Sequence, residues 1–249
     1  MSGAPVTGPA SVDRALDLLE AIARAPGPVP AKVLARELGC ALSTVYHLLA
    51  PLTARGHVER TGAGYALGPR VPALYRSFQR HAGIDEASRG LLLDVRRAAG
   101  AHAYLSARRG SRIAVVDSTA SLSENLDDPF EVGLDHGAHA TAHGKVLLAS
   151  LSRAARRRYL DAHGLPRLTE NTITSPDRFE AELRRVRAAG VAVSVGETDP
   201  AFTCVAVPLP DSARALSVSL PTAAYRGRQR ELARVLTRAA RCGFPTLPE

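Results

Sequence analysis

Two groups of residues in this 249-residue chain have types and spacings that can do chemistry. The first lies late. Ser217 and Ser219 are two apart in an apolar run, so both hydroxyls project from one face of a strand. Cys204, at the centre of another apolar run, is small enough to leave room beside them. The stretch from Ala140 to Gly144 is a small-residue helix start whose backbone N–H groups can approach an anion closely. Together these suit a compact, carboxylate-bearing ligand held by hydroxyls and backbone dipoles. The second group lies early. Ser43, Thr44, Tyr46, His47 and Ala50 share the polar side of a segment whose other side carries Val45, Leu48, Leu49 and Leu52 at i, i+3, i+4, i+7. Such side chains meet base edges and phosphates when their helix lies in a major groove.

The elements that position the early group fall within the first 80 residues. Ser11 is expected to cap a helix burying Val12, Leu16, Leu19 and Ile22, ended by Pro26-Gly27-Pro28. A short helix over 31–38 is expected to bury Val33, Leu34 and Leu38, with Gly39 closing it. The helix over 42–54 follows after three or four residues, which is helix-turn-helix spacing. Pro51 inside it removes one hydrogen bond. Alternation at Val58–Arg60 and Tyr65–Leu67 around a Gly-rich tip reads as a hairpin, with Arg55 and Arg60 beside it as a wing against the DNA backbone or minor groove. A helix from about 71 to 80 reads as a connector.

The late group belongs to a mixed segment. A helix around Leu91, Leu92 and Val95 precedes strands at 101–107 and 112–117. A turn at 133–144 leads into the helix 145–150, and helices follow near 152–161 and 176–189. Strands at 191–197, 202–209 and 215–220 then precede one final helix, 222–242, with Leu232, Val235, Leu236 and Ala239 on its apolar face. Short connections between the late strands favour an antiparallel α+β sheet. The expected organisation is a disordered tail over 1–10, a winged helix-turn-helix over 11–69, a linker helix over 70–83 and an α+β domain over 84–249.

Composition sets bounds. The chain is 45% hydrophobic and 22% charged, without an apolar run of the ~18–20 residues that a membrane span needs. Its first ten residues lack a basic start and an apolar core, so a signal peptide is not expected and a cytoplasmic location is. Three widely spaced cysteines give no zinc-ribbon pattern, and Cys40 and Cys242 read as buried thiols. The net charge of +8 suits a nucleic-acid partner; residues 1–80 hold nine Lys/Arg against five Asp/Glu.

The block Ser11-Val12-Asp13-Arg14-Ala15-Leu16, Leu34-Ala35-Arg36-Glu37-Leu38-Gly39, Ser43-Thr44-Val45, Leu48-Leu49, Arg55-Gly56 and Tyr65-Ala66-Leu67-Gly68 resembles the winged helix-turn-helix of the IclR-type (isocitrate-lyase-regulator type) family. His139-Ala140-Thr141-Ala142-His143-Gly144-Lys145, Thr203–Pro208 and Leu216–Ser219 resemble that family's effector-domain signature. The resemblance runs through residues 11–245. It implies a transcription regulator that binds a double-stranded operator as a homodimer or dimer of dimers and senses a small organic acid or related metabolite. It also implies a GAF/PAS-like α+β effector domain with contacts at Ala142, His143, Ser194, Cys204, Ser217 and Ser219. The chain departs from the family pattern at Leu42 and His47, where basic residues are common. It departs again at His143, a bulky imidazole able to carry charge where a small residue stands, and at Ser194, where an aspartate stands.

The alternatives are an enzyme and an adaptor. His139 and His143 are four apart and Cys204 could join them in a metal-dependent or other small-molecule-modifying site, but an HExxH motif needs Glu where the chain has Ala140. A hydrogen-bonded histidine at a helix start is the simpler reading of His139. Glu124, Asp127 and Asp128 read as a solvated loop, and no nucleophile elbow or phosphate loop is present. No cofactor, metal or catalytic residue is therefore expected.

Overall fold

The computed structural model describes residues 9–81, 84–110, 112–120, 137–211 and 213–241. Glu124, Asp127, Asp128 and Cys242 lie outside them, as does most of the expected tail. Contacts divide the chain into two units, Met1–Phe78 and Gln79–Glu249.

The first unit holds three helices and a hairpin: α1 (Ala10–Arg24), α2 (Ala31–Glu37), α3 (Leu42–Ala54), β1 (Val58–Arg60) and β2 (Tyr65–Leu67). Leu18, Ala21, Ile22, Leu34, Val45, Leu49, Val58 and Tyr65 form its core, with Leu19, Leu38, Leu48 and Leu52 half-buried at its edge. Fully burying a leucine such as Leu18 or Leu34 is worth about 1.5–3 kcal/mol, so these few residues dominate so small a unit. Four expectations need correction. Helix α1 begins at Ala10, inside the expected tail, and has no side-chain cap, so Ser11 lies within its first turn. Its apolar residues exceed one stripe: the core takes Leu18, Ala21 and Ile22, leaving Val12 51% and Leu16 53% exposed. Val33 faces outward, because Ala31 and Leu34 already fill the inner face of α2. Cys40 is half-buried rather than enclosed.

Strands β1 and β2 pair antiparallel, Val58 opposite Leu67. The segment before α2 adds a bridge, with Val29 N–H donating to the Tyr65 carbonyl at 2.8 Å and Tyr65 N–H returning the bond at 2.9 Å. This close approach requires Gly64, where a β-carbon would come 2.5 Å from the Val29 carbonyl carbon. Helix α4 (Arg70–His81) follows and buries none of its side chains.

The second unit is built on a five-stranded antiparallel sheet of order β4-β3-β7-β6-β5. Its strands are β3 (His102–Arg109), β4 (Arg112–Ser118), β5 (Ala192–Val195), β6 (Phe202–Pro208) and β7 (Arg214–Pro221). Helices α5 (Glu86–Ala99) and α10 (Gln229–Arg241) pack on one face, and α6 (Ala142–Ser150) on the other, with α8 (Pro176–Ala189) against α6. Both sheet faces are covered, so β3, β6 and β7 are buried almost continuously instead of alternating. α7 (Arg153–His163) precedes α8. The expected single helix 222–242 is two, a short α9 (Thr222–Tyr225) and α10, separated at Arg226, whose ψ of 126° is not helical.

Candidate functional site

The polar side of α3 is outward, as its apolar period requires. Val45 and Leu49 are buried, whereas Tyr46 is 50% exposed and Ser43, His47 and Ala50 are exposed; Thr44 is half-buried. Ser43 and Thr44 occupy the first turn, behind Ala41, and no side chain caps that end. The first N–H groups of this 13-residue helix therefore lie beside two hydroxyls and have no side-chain cap, a combination that suits a phosphate oxygen. Arg55 follows the last turn of α3 and Arg60 ends β1, both exposed.

In the second unit, sheet register brings the late residues into rows. His102 on β3 is opposite Ser219 on β7, Ser219 is opposite Cys204 on β6, and Cys204 is opposite Ser194 on β5. The next row on the same face is Tyr104, Ser217, Ala206 and Ala192. This is the face that α6 covers, since Tyr104, Cys204 and Ala206 pack with Ala142 and Val146. Ala142, His143, Ser194, Cys204, Ser217 and Ser219 are all buried. The hydroxyls of Ser217 and Ser219, and of Ser106 farther along the same face of β3, have no hydrogen-bond partner among the described residues. Buried hydroxyls without partners are uncommon and mark a place where a ligand can supply the missing bonds.

Ser194 differs. Its hydroxyl donates to the Ala140 carbonyl at 2.6 Å, and the Thr198 hydroxyl donates to the same oxygen at 2.9 Å. Ser194 thus fixes the turn Ala138–Ala140 that enters α6. Thr141 then caps α6, accepting from Gly144 N–H at 3.0 Å. His143, in the first turn of α6, is buried deeply enough that desolvation pulls its pKa down to about 4. Its burial favours the neutral imidazole near pH 7 over the charged form that the sequence left open. His139 Nε2 bonds the Pro166 carbonyl at 2.9 Å and its ring meets Phe179 edge-on, so it is the hydrogen-bonded histidine of the simpler reading. Burial, opposed by the Pro166 bond, lowers its pKa also. Among the described residues, no three His, Cys, Asp or Glu side chains gather as metal ligands.

Sequence reasoning missed two features. The β3 residues His102, Tyr104 and Ser106 share the serine face, which only the long-range pairing of β3 with β7 reveals. Lys145 is fully buried, paired with Glu197 and 3.6 Å from Glu182. The visible signal was a lysine in a helix buried from Ala142 to Ala149, where an ammonium needs partners.

Residues 77–243 match the model described as bacterial transcriptional regulator IclR C-terminal, and residues 11–62 match the IclR helix-turn-helix domain. The chain belongs to the IclR family. It is similar to the HTH-type transcriptional regulator BhcR of Paracoccus denitrificans, 33% identical over 218 residues that cover 85% of this chain and 77% of that one. The glycerol operon regulatory protein of Streptomyces griseus is 30% identical over 209 residues, 82% of this chain and 80% of that one. The fold is that of the Thermotoga maritima IclR crystal structure, with a TM-score of 0.78, 24% identity and coverage of 93% of this chain and 96% of that one. An IclR homolog from Microbacterium hydrocarbonoxydans, solved in complex with 4-hydroxybenzoate, also shares the fold, with a TM-score of 0.71 and 21% identity over 92% of this chain and 95% of that one. Membership makes the chain an IclR-type transcriptional regulator rather than an enzyme, with a helix-turn-helix DNA-binding domain and a C-terminal effector domain. Among the described residues, no helix is long and apolar enough to cross a membrane.

Proposed function

We propose that this IclR-family regulator binds a palindromic operator as a homodimer or dimer of dimers and responds to a small carboxylate-bearing metabolite. Ser43, Thr44, Tyr46 and His47 read or grip the major groove, while Arg55 and Arg60 grip the backbone. Two recognition helices placed about one DNA turn apart match the two-fold symmetry of such a site. The domain limits that go with this reading are 11–69 for DNA binding, 70–83 for the linker and 84–249 for the effector domain, in a cytoplasmic protein. The linker helix couples the two, and the effector acts by binding the DNA-competent and incompetent arrangements with different affinity.

The observation that carries the effector reading is the pair of buried hydroxyls of Ser217 and Ser219, which have no partner among the described residues, beside Cys204. Hydroxyl donors and the α6 backbone, with Ala142 and His143 at its start and Ser194 holding its approach, favour an acceptor-rich anion over a cation. That a protein of this fold was solved with 4-hydroxybenzoate, itself a carboxylate, agrees with this class. The test is a thermal-shift screen of small carboxylic and aromatic acids, with hits retested for release of the protein from DNA upstream of its own gene. Binding of that DNA at low salt and its modulation by an acid are the expected results. A protein that ignores the DNA, or that no acid stabilises, overturns the proposal.

A further inference from the structure

Lys145 stands at the centre of an interior network that no substrate-like role explains. Its ammonium, on a residue with 0% exposure, is paired with the Glu197 carboxylate, lies 3.6 Å from a Glu182 oxygen and donates to the Val193 carbonyl at 3.4 Å. Glu182 belongs to α8 and is tied outward to Arg185 at 2.6 Å. Glu197 belongs to the turn after β5, and its own carbonyl accepts from the Thr172 hydroxyl at 2.7 Å. The next residue, Thr198, bonds the Ala140 carbonyl, the same oxygen that Ser194 holds. Ala140 ends the turn that Ser194 holds, and Ala138 and Ala142 on either side of it share one buried cluster with Cys204. A path of bonded groups therefore runs from Lys145 through Glu197 and Thr198 to the cover of the serine face.

We infer that Lys145 is a positioning residue of the effector site: by holding Glu197 it fixes the Thr198 clamp on Ala140 and keeps the segment 138–143 closed over Cys204 and Ser219. The inference rests on the proposed reading of that face as the effector pocket. Glu182 is the internal control. It shares the ammonium, so removing either carboxylate leaves Lys145 with the other carboxylate and the Val193 carbonyl, but only Glu197 is continuous with the cover.

The probe is the rate at which 5,5′-dithiobis(2-nitrobenzoate) labels Cys204 in the full chain, with Cys40→Ser and Cys242→Ser removing the other two thiols. Cys204 is buried, so labelling reports opening of the cover. Glu197→Ala and Thr198→Val should label at least about tenfold faster than the parent, with thermal midpoints near that of Glu182→Ala, which should label at the parent rate. Lys145→Met should follow Glu197→Ala, and Lys145→Arg should restore part of the slow labelling. If Lys145→Met does not fold, the contrast between Glu197→Ala and Glu182→Ala decides alone. Equal rates in those two variants overturn the inference. The labelling contrast needs no effector, so it can hold even where the acid screen fails, and the two failures are distinct.

Discussion

Gly144, in the first turn of α6, lies so close to Ala138 that a β-carbon there would come 2.0 Å from the Ala138 carbonyl oxygen. Both atoms are backbone-bound, so neither can swing aside. Gly144→Ala should therefore push α6 away from the Ala138–Ala140 turn and cost about 1–3 kcal/mol of stability in urea unfolding, as overpacking does. Gly90 is the contrast: it is exposed in α5, and a β-carbon there meets nothing within 4 Å. Gly90→Ala should gain about 0.5–1 kcal/mol from the helix preference for alanine. Equal effects of the two changes would remove close backbone packing as the reason for glycine at 144.

Ser217→Ala and Ser219→Ala should separate stability from function. Each hydroxyl is buried without a partner among the described residues, so removing it to leave a methyl side chain removes a desolvation cost and should leave stability unchanged or raise it by about 1 kcal/mol. The same changes should weaken binding of any acid found in the thermal-shift screen while leaving operator affinity intact. Serines that instead lose stability on truncation have structural partners, and the ligand assignment fails with them.

Much of the first unit is legible because its signals are local. The period of Val45, Leu48, Leu49 and Leu52 fixes which side of α3 faces out, and the structure agrees at Tyr46 and His47. Helix α1 is less legible because its apolar residues make two overlapping stripes. Tertiary packing with α2, α3 and β2, which bring in Leu34, Val45, Leu49 and Tyr65, selects Leu18 and Ile22 over Val12 and Leu16. In the second unit the strands are visible in the sequence but their order is not. The pairing of β3 with β7 joins segments far apart along the chain, so no local pattern places His102, Tyr104 and Ser106 beside the serines. Likewise Lys145 meets Glu197 across 52 residues, and no periodicity reports a single ion pair of that span.

Tyr46→Ala and Thr44→Ala test the outward face of α3. Neither side chain belongs to the buried core, so both variants should keep the parent's thermal midpoint. Each should weaken operator binding by roughly 1–3 kcal/mol, or about five- to 150-fold, in a mobility-shift titration at fixed salt. Arg60→Ala, by contrast, should weaken all DNA sequences alike and reduce the salt dependence of binding by about one ion. Loss of sequence discrimination in Arg60→Ala, with none in Tyr46→Ala, would reverse the proposed roles of wing and helix.

The neutral imidazole of His143 makes stability depend on pH in a defined direction. Its pKa is about 4 in the folded protein against an ordinary 6.5, because burial disfavours the cation. As pH falls, the unfolded chain takes up the proton first, so folding stability is full above about 6.5, declines between 6.5 and 4, and levels off below 4. The burial of His139 acts in the same direction. The parent should lose roughly 2 kcal/mol more between pH 7 and pH 5 than His143→Leu does, measured by urea unfolding at each pH. Parallel pH profiles for the two proteins would mean that His143 reaches solvent in the folded state, and that the cover over the serine face is open rather than packed.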